Sequence, residues 1–356
     1  MSVIISSLLI IIVAIYLLAI VTDEYFIESL DVIANKWKLP SNVAGASLMA
    51  MGSSMPELSI ALFALMQQGG AHSDVGIGNI VGSAIFNILV ITGVSALVMP
   101  AAVTLRVIVR DCVVYTLSIA LLIGFFLDGQ ITMLEALLFL GLYALYILIL
   151  FQWNRLAPFD NEEDQEGDPI EMVEKERAKS GLYHRITTLI SNIFRLLTGH
   201  PRRNYLRTFT VSILLIAGIS WFLVEQSVLL AEALGVPPVI VALTVLAAGS
   251  SIPDLIASVL VAKEGRGEMA VANAVGSNIF DITIGLGLPW LLILLFQKDT
   301  IIVGTTGLWT STLLLLGTVA ILFVFLWTKR ELSRLEGGIL VFLYVIYVIW
   351  IWMGGG

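Results

Sequence analysis

Ten apolar stretches follow one another along this 356-residue chain, at 3–21, 40–66, 76–99, 104–127, 131–151, 207–231, 237–262, 269–297, 301–327 and 336–353. A helix that crosses a bilayer uses about 20 apolar residues, so these runs leave little chain for anything else. Composition agrees, with 58% hydrophobic residues, 13% charged residues and a mean hydropathy of +0.97. Soluble domains carry about a quarter charged residues. The chain is expected to be a single all-α integral membrane body. A lone Cys112 and three histidines cannot supply a disulfide framework or a zinc cluster. The net charge of -8 argues against nucleic acid as a partner.

The first stretch lacks the basic start and small-residue cleavage site of a signal peptide, so it reads as a retained helix. Lys and Arg in short loops stay cytoplasmic, which fixes an orientation. With the amino terminus outside, 18 of the 19 basic residues fall in inner loops and Lys298 alone falls outside. Both termini are therefore predicted outside, in a plasma or inner cell membrane, with the loop at 152–206 cytoplasmic. That loop is too short for a regulatory domain of ordinary size. Its acidic first part places Asp160, Glu162, Asp164 and Glu171 at positions 1, 3, 5 and 12 of a calcium loop. Gln165 stands where that loop needs Gly, and Pro169 follows, so a solvated linker is the expectation. Its second part spaces Leu182, Ile186, Leu189, Ile190, Ile193 and Leu197 as an amphipathic helix lying on the inner membrane surface.

The chain also repeats itself. A segment that opens GSSMPE at Gly52 recurs as GSSIPD from Gly249, and each copy continues to an NxVGSxIF phrase ending at Asn87 or Asp281. Three units are expected: five helices over 1–151, the linker over 152–206, and five helices over 207–356. An odd number of spans per copy forces the second copy into the membrane upside down. Such inverted repeats set broken helices face to face near the midplane, where secondary transporters bind their ions.

The residues of the repeat explain themselves chemically. Pro56 and Pro253 cannot donate a backbone hydrogen bond and crowd the carbonyl four residues earlier, so the second and seventh helices should break there. An opened helix at membrane depth is tolerated only where it lines a cavity or is buried in protein. Ser53 and Ser54 share a helical face with Glu57, as Ser250 and Ser251 do with Asp254. Ser83 and Asn87, and Ser277 and Asp281, keep a four-residue spacing in the helices that follow. Gly82 and Gly276 are expected to allow close helix approach.

The donors are three carboxylates, one amide and six hydroxyls, with no thiolate or imidazole. An all-oxygen set suits hard cations such as calcium or sodium. Carboxylates at the midplane cost several kcal/mol each when unpaired, and no Lys or Arg lies in these helices. Mobile cations or protons must balance them. A serine within a helix often bonds back to a carbonyl four residues earlier, but recurrence at matched positions favours ligands. His72 and Asp74 read as external loop residues, Asp111 beside Arg110 as a helix-end ion pair, and Glu135 as an interfacial charge. Gly93, Gly285 and Gly287 could let the first and sixth spans slide past a fixed core, or serve close packing alone.

The phrases HSDVGIGNIVGSAIFNIL, AAGSSIPDLI and VGSNIFDITIGLGLPW resemble the alpha-repeats of the calcium/cation antiporter superfamily, and look most like the potassium-dependent sodium/calcium exchangers. The resemblance implies ten spans and antiport of calcium against sodium. It also implies ligands at Ser53, Ser54, Glu57, Ser83 and Asn87, at their mirror set Ser250, Ser251, Asp254, Ser277 and Asp281, and at the carbonyls of Ala50 and Ala247. It ties Asp281 to potassium. Ser53 stands where much of the superfamily has Thr, and the short linker lacks the large calcium-sensing domains of animal exchangers. No cofactor is expected beyond the transported ions, and the expected partners are calcium, sodium, potassium and the lipid bilayer. A calcium/proton antiporter would use the same scaffold, and a passive cation channel would also accept a carboxylate site. An intramembrane aspartyl protease could use Asp254 and Asp281 as a dyad, but it needs neither Glu57 nor an inverted copy, and its GxGD phrase is absent. The chain is expected to be a transporter and not an enzyme.

Overall fold

The computed structural model describes residues 2–36, 50–67, 72–102, 105–156, 181–263, 265–296, 300–304 and 308–354. Eight helices among them are long and apolar enough to cross a membrane, and one bent pair makes nine. The second predicted span is described only from Ala50, so that span lies partly outside the described residues. The acidic stretch with Asp160 and Glu171 lies outside them as well.

The first half opens with α1 (Ser2–Val21), a wide π-helical turn π1 (Thr22–Ile27) and α2 (Glu28–Lys36) as one long rod. Next come α3 (Ala50–Ser53) and α4 (Met55–Met66), then α5 (Ser73–Phe86), π2 (Asn87–Ile91) and α6 (Thr92–Val98) in line. After these, α7 (Leu105–Phe125) and α8 (Met133–Leu156) complete five segments. The linker contributes α9 (Gly181–Thr198), the amphipathic helix expected there.

The second half runs in the same order. It begins with α10 (Tyr205–Leu234), followed by α11 (Pro238–Val241), π3 (Ala242–Leu246) and α12 (Ala247–Ser250). After the break come α13 (Ile252–Lys263), then α14 (Gly267–Phe280) with π4 (Asp281–Leu286) and α15 (Gly287–Phe296). The last two segments are α16 (Leu308–Lys329) and α17 (Arg334–Trp352). The stretch predicted to start the ninth span at 301 instead begins as an extended pair, Ile301–Ile302. Glu336 and Ser333 cap α17 reciprocally, which fixes that start sharply.

The two halves interlock. Each third segment packs on the fifth segment of the other half, α6 against α17 and α15 against α8. Two-residue strands repeat the exchange: β1 (Ala101–Ala102) pairs antiparallel with β4 (Glu331–Leu332), and β2 (Gln130–Ile131) with β3 (Ile301–Ile302). Gly93 and Gly287 sit at the helix crossings. A Cβ on Gly93 would lie 2.8 Å from the Gly337 carbonyl, and one on Gly287 3.0 Å from Phe139. These glycines therefore serve close packing against α17 and α8. A Cβ on Gly285 would lie 3.1 Å from Ile80, so none of the three borders the first or sixth span.

The first and sixth spans form a pair of their own. Phe26 stacks on Phe209 at 5.4 Å, and Lys36 lies 3.8 Å over the Tyr205 ring. Helix α9 is docked to that pair. The Tyr25 hydroxyl donates to the Ser191 carbonyl at 2.5 Å, and Arg207 donates to the Leu197 carbonyl at 3.0 Å. Ile193, Leu196 and Leu197 face outward, with Leu196 80% exposed, which suits an apolar face resting in the headgroup boundary.

Candidate cation site at two helix breaks

The two GSSxP segments break as the prolines require. Ser54 adopts φ -89°, ψ 5° and Ser251 φ -89°, ψ 0°, the sparsely populated bridge between helical and extended backbone. The second break bends its span by 44°. Below each break the helix resumes with Glu57 or Asp254 in its first turn.

Each break meets the third segment of the other repeat. Short helix α3 packs on α14 and α12 on α5, while α4 reaches π4 and α13 reaches π2. Asn87 and Asp281 are the first residues of π2 and π4. These wide turns carry no sequence signature, and sequence reasoning missed them. π-bulges interrupt helices mostly at functional sites, and here both begin at a predicted ligand. Gly82 makes the close approach possible, because a Cβ there would fall on the backbone of Leu243. Gly276 does not mirror it: no described atom lies within 4 Å of a Cβ built there.

Side chains pair across the repeats. Ser250 lies beside the Glu57 carboxyl, and Ser54 beside the Asp281 carboxyl. Glu57 and Asp281 are each only 2% exposed, as is Ser54. Asp254 is half-buried and close enough to Glu57 and Asp281 to act on both electrostatically. Ser83, Ser251 and Ser277 are buried, and Ser53 is half-buried. Ser250 and Ser277 donate to the carbonyls of Ala247 and Ala274 at 3.3 Å. These two hydroxyls thus bond back to a carbonyl, three residues earlier rather than the four expected, which leaves Ser250 only lone pairs to offer beside Glu57. Ala247 is buried at the start of α12, and Ala50 starts α3.

The pocket is short of partners. Glu57 Oε2, Asp281 Oδ1, Asn87 Oδ1, and the hydroxyls of Ser83 and Ser251 are buried without a hydrogen-bond partner. Buried polar atoms are normally satisfied, so these five oxygens on five predicted ligands retain unused accepting capacity among the described residues, although other buried hydroxyls such as Ser212 and Ser227 do so too. Among the described residues no three carboxylate, imidazole or thiolate groups could hold a metal by themselves. Hydroxyl and amide oxygens are therefore needed to complete any coordination shell.

Sequence reasoning also missed Asn278. The Asn87 Nδ2 donates to Asn278 Oδ1 at 2.8 Å and more weakly to Ser277 Oγ at 3.4 Å. Asn278 in turn donates to the Ala84 carbonyl at 3.1 Å and to the Tyr115 hydroxyl at 2.9 Å. Its signal was the variable position of NxVGSxIF, Ala84 in one copy and Asn278 in the other. Outside the site, the Arg110–Asp111 ion pair closes at 2.7 Å, and Tyr146 donates to Asp111. Glu135 caps α8 by accepting from the Thr132 amide at 2.7 Å. Asp74 lies in the first turn of α5, not in a loop, and accepts from the Val75 amide at 3.0 Å, while His72 immediately precedes that helix.

Matched positions of the two repeats differ in exposure. Pro56, Glu57, Leu58 and Ser59 are buried, whereas Pro253, Asp254, Leu255 and Ile256 are partly or fully open. Helix α10 packs along α4, but its counterpart α1 does not pack along α13. A narrow cleft lies there, lined by α1, π1 and both breaks.

The family model for the sodium/calcium exchanger protein matches residues 7–152 and 205–353, and the chain belongs to that family. The human protein named sodium/potassium/calcium exchanger 5 is 32% identical over 380 residues, spanning 87% of this chain and 74% of its own length. The mouse sodium/potassium/calcium exchanger 4 is 29% identical over 492 residues, with coverage of 94% and 78%. Among solved structures, the H+/Ca2+ exchanger CAX superposes with a TM-score of 0.68 at 15% identity, covering 98% of this chain and 81% of that one. The sodium-calcium exchanger NCX_Mj gives 0.56 at 22% identity, covering 97% and 99%. Both structures share the fold of this chain.

Proposed function

We propose that the protein is a secondary antiporter that exports calcium in exchange for sodium, with potassium moving alongside calcium, by exposing one midplane site to either side in turn. The observation that carries this reading is the meeting of each helix break with the third segment of the other repeat, which buries Glu57, Asp281 and Ser54 together among oxygens without a hydrogen-bond partner in the described residues. A site of that composition holds hard cations. Its place between inverted breaks is the usual place for transported ions. Sequence relatives named as sodium/potassium/calcium exchangers support the choice of ions.

Calcium is proposed to sit between Glu57 and Asp254, with Ser53, Ser54, Ser83, Asn87, Ser250, Ser251, Ser277 and the carbonyls of Ala50 and Ala247 completing the shells of the ions carried. Asp281 supplies the third negative charge. Calcium leaves one charge of three unbalanced, potassium beside it neutralises the site, and three sodium ions would neutralise the return state. The open cleft lies along α13, which runs from the break toward Lys263, on the side that the basic loops mark as cytoplasmic. The structure is thus read as facing inward in a plasma membrane, with termini outside and the 152–206 linker inside. The halves at 1–151 and 207–356 close around the site from opposite directions.

The experiment is calcium uptake into proteoliposomes with sodium, potassium and proton gradients imposed one at a time. Uptake driven by an outward sodium gradient supports the reading. Uptake driven by a proton gradient alone would replace it with calcium/proton antiport.

A further inference from the structure

The cleft beside the second break brings together residues that no part of the repeat motif contains. Thr22 and Asp23 of π1 line it, opposite Ser53, Ser250, Pro253 and Asp254. Thr22 is only 3% exposed, and its Oγ1 has no hydrogen-bond partner. A buried hydroxyl left unsatisfied among the described residues, in a wall otherwise built from Ile15, Leu18 and Ala19, is costly, and the cleft that Thr22 lines is where a partner could reach it. Asp23 is half-buried and acts electrostatically on Asp254 across the cleft. Asp254 acts in turn on Asp281, and Glu57 acts on both. Four carboxylates therefore run inward from the mouth, the outer two partly open to solvent and the inner two shut. Among the described residues no Lys or Arg lines the cleft.

We propose that Thr22 and Asp23, with Asp254 opposite, form a second cation site in the outer part of the cleft, where a divalent ion is first captured before it moves inward to the place between Asp254 and Glu57. Carboxylate and hydroxyl oxygens with no nitrogen or sulfur donor select a hard ion of the calcium class. Two facing carboxylates favour a divalent ion over a monovalent one. Thr22 and Asp23 open the wide turn π1 and both line the cleft, on a rod that packs on the sixth span. The capture step rests on the exchange reading, whereas the site itself does not, so the two can be tested apart.

Direct binding comes first, in detergent and without transport. Calcium titrated by calorimetry into the full-length Glu57→Gln protein should still bind with a Kd in the range about 10⁻⁴–10⁻³ M seen for open oxygen-ligand sites. Adding Asp23→Asn to that protein should weaken the remaining binding at least tenfold. The proposal is overturned if Glu57→Gln binds no calcium in that range, or if Asp23→Asn leaves its binding unchanged. In proteoliposomes, Asp23→Asn and Thr22→Val should each raise half-saturating calcium about tenfold at the face to which the cleft opens. The maximal rate and the affinity at the other face should hold, and Asp23→Glu should restore most of the loss. An equal change at both faces, or a fall in maximal rate alone, would show a structural role and overturn the capture step. If Asp23→Asn does not assemble, Thr22→Val carries both measurements. Wild-type protein that binds calcium in detergent but shows no exchange would defeat the antiport reading and leave the mouth site standing.

Discussion

Asn87 donates its side-chain amide to Asn278 at 2.8 Å, so the one side-chain amide among the proposed ligands is oriented by a residue of the opposite repeat. With its nitrogen held there, its oxygen faces away without a partner and is available to an ion. Asn278→Ala would free the Asn87 amide to rotate and would also strip the Tyr115 hydroxyl of its donor. Losing a buried hydrogen bond of this kind costs roughly 1–3 kcal/mol, and 1.4 kcal/mol is tenfold in affinity. Half-saturating calcium should rise about tenfold with protein yield intact, as measured by uptake into proteoliposomes.

Glu57→Gln or Asp254→Asn should abolish calcium transport. Each removes one of the charges a divalent ion needs, and the amide keeps the shape of the side chain it replaces. Size-exclusion profiles should stay like wild type. Near-normal uptake by either variant would remove both residues from the site.

Metal removal should reveal the strain of the empty pocket. Buried carboxylates without a counter-charge destabilise the fold, and a bound ion offsets this in proportion to its occupancy. Wild-type protein should therefore melt several degrees higher with saturating calcium than in chelator. Asp281→Asn should raise the melting temperature in chelator and shrink the gain from calcium. A calcium-induced gain as large as that of wild type would count against Asp281 as part of the site.

Potassium is assigned to Asp281 because the repeats differ there, Asn87 in one copy and the acid in the other. Calcium exchange at fixed sodium should slow when choline replaces potassium, and Asp281→Asn should lose that dependence. A wild-type rate indifferent to potassium, or a variant that keeps the full dependence, defeats the assignment.

The exposure difference between α4 and α13 makes a prediction about motion. Cys112 is buried, so background labelling by a thiol reagent should be low. Cysteine placed at Ile256 should label readily from the cytoplasmic side, and cysteine at Ser59 should not. Conditions that turn the site outward should reverse the pattern; labelling that never changes would speak against alternating exposure.

Much of this site was legible because proline chemistry acts locally. Pro56 and Pro253 break their helices wherever they stand, and the carboxylates one residue further on are carried with them. Hydropathy found the spans for the same reason, since the bilayer imposes one length on all of them. The wide turns at Asn87 and Asp281 were not legible, because a π turn depends on what packs beside it. Thr22 and Asp23 were hidden by belonging to no repeat. Their place near Asp254 follows from how the first span leans across the second break. Gly93 and Gly287 show the limit from the other side. Small residues announce a close approach, but only the packing shows that the approaching helices are α17 and α8.

The exchange of third and fifth segments between the halves bears on ancestry and assembly. Neither half keeps its own closing helix, so a five-helix chain alone would leave the groove meant for its partner's helix uncovered. A single ancestral gene whose product entered the membrane in both orientations could have satisfied that need as a pair of separate chains. In the present chain the linker keeps both closing helices within reach of their grooves, and the two copies differ at the matched positions Asn87 and Asp281.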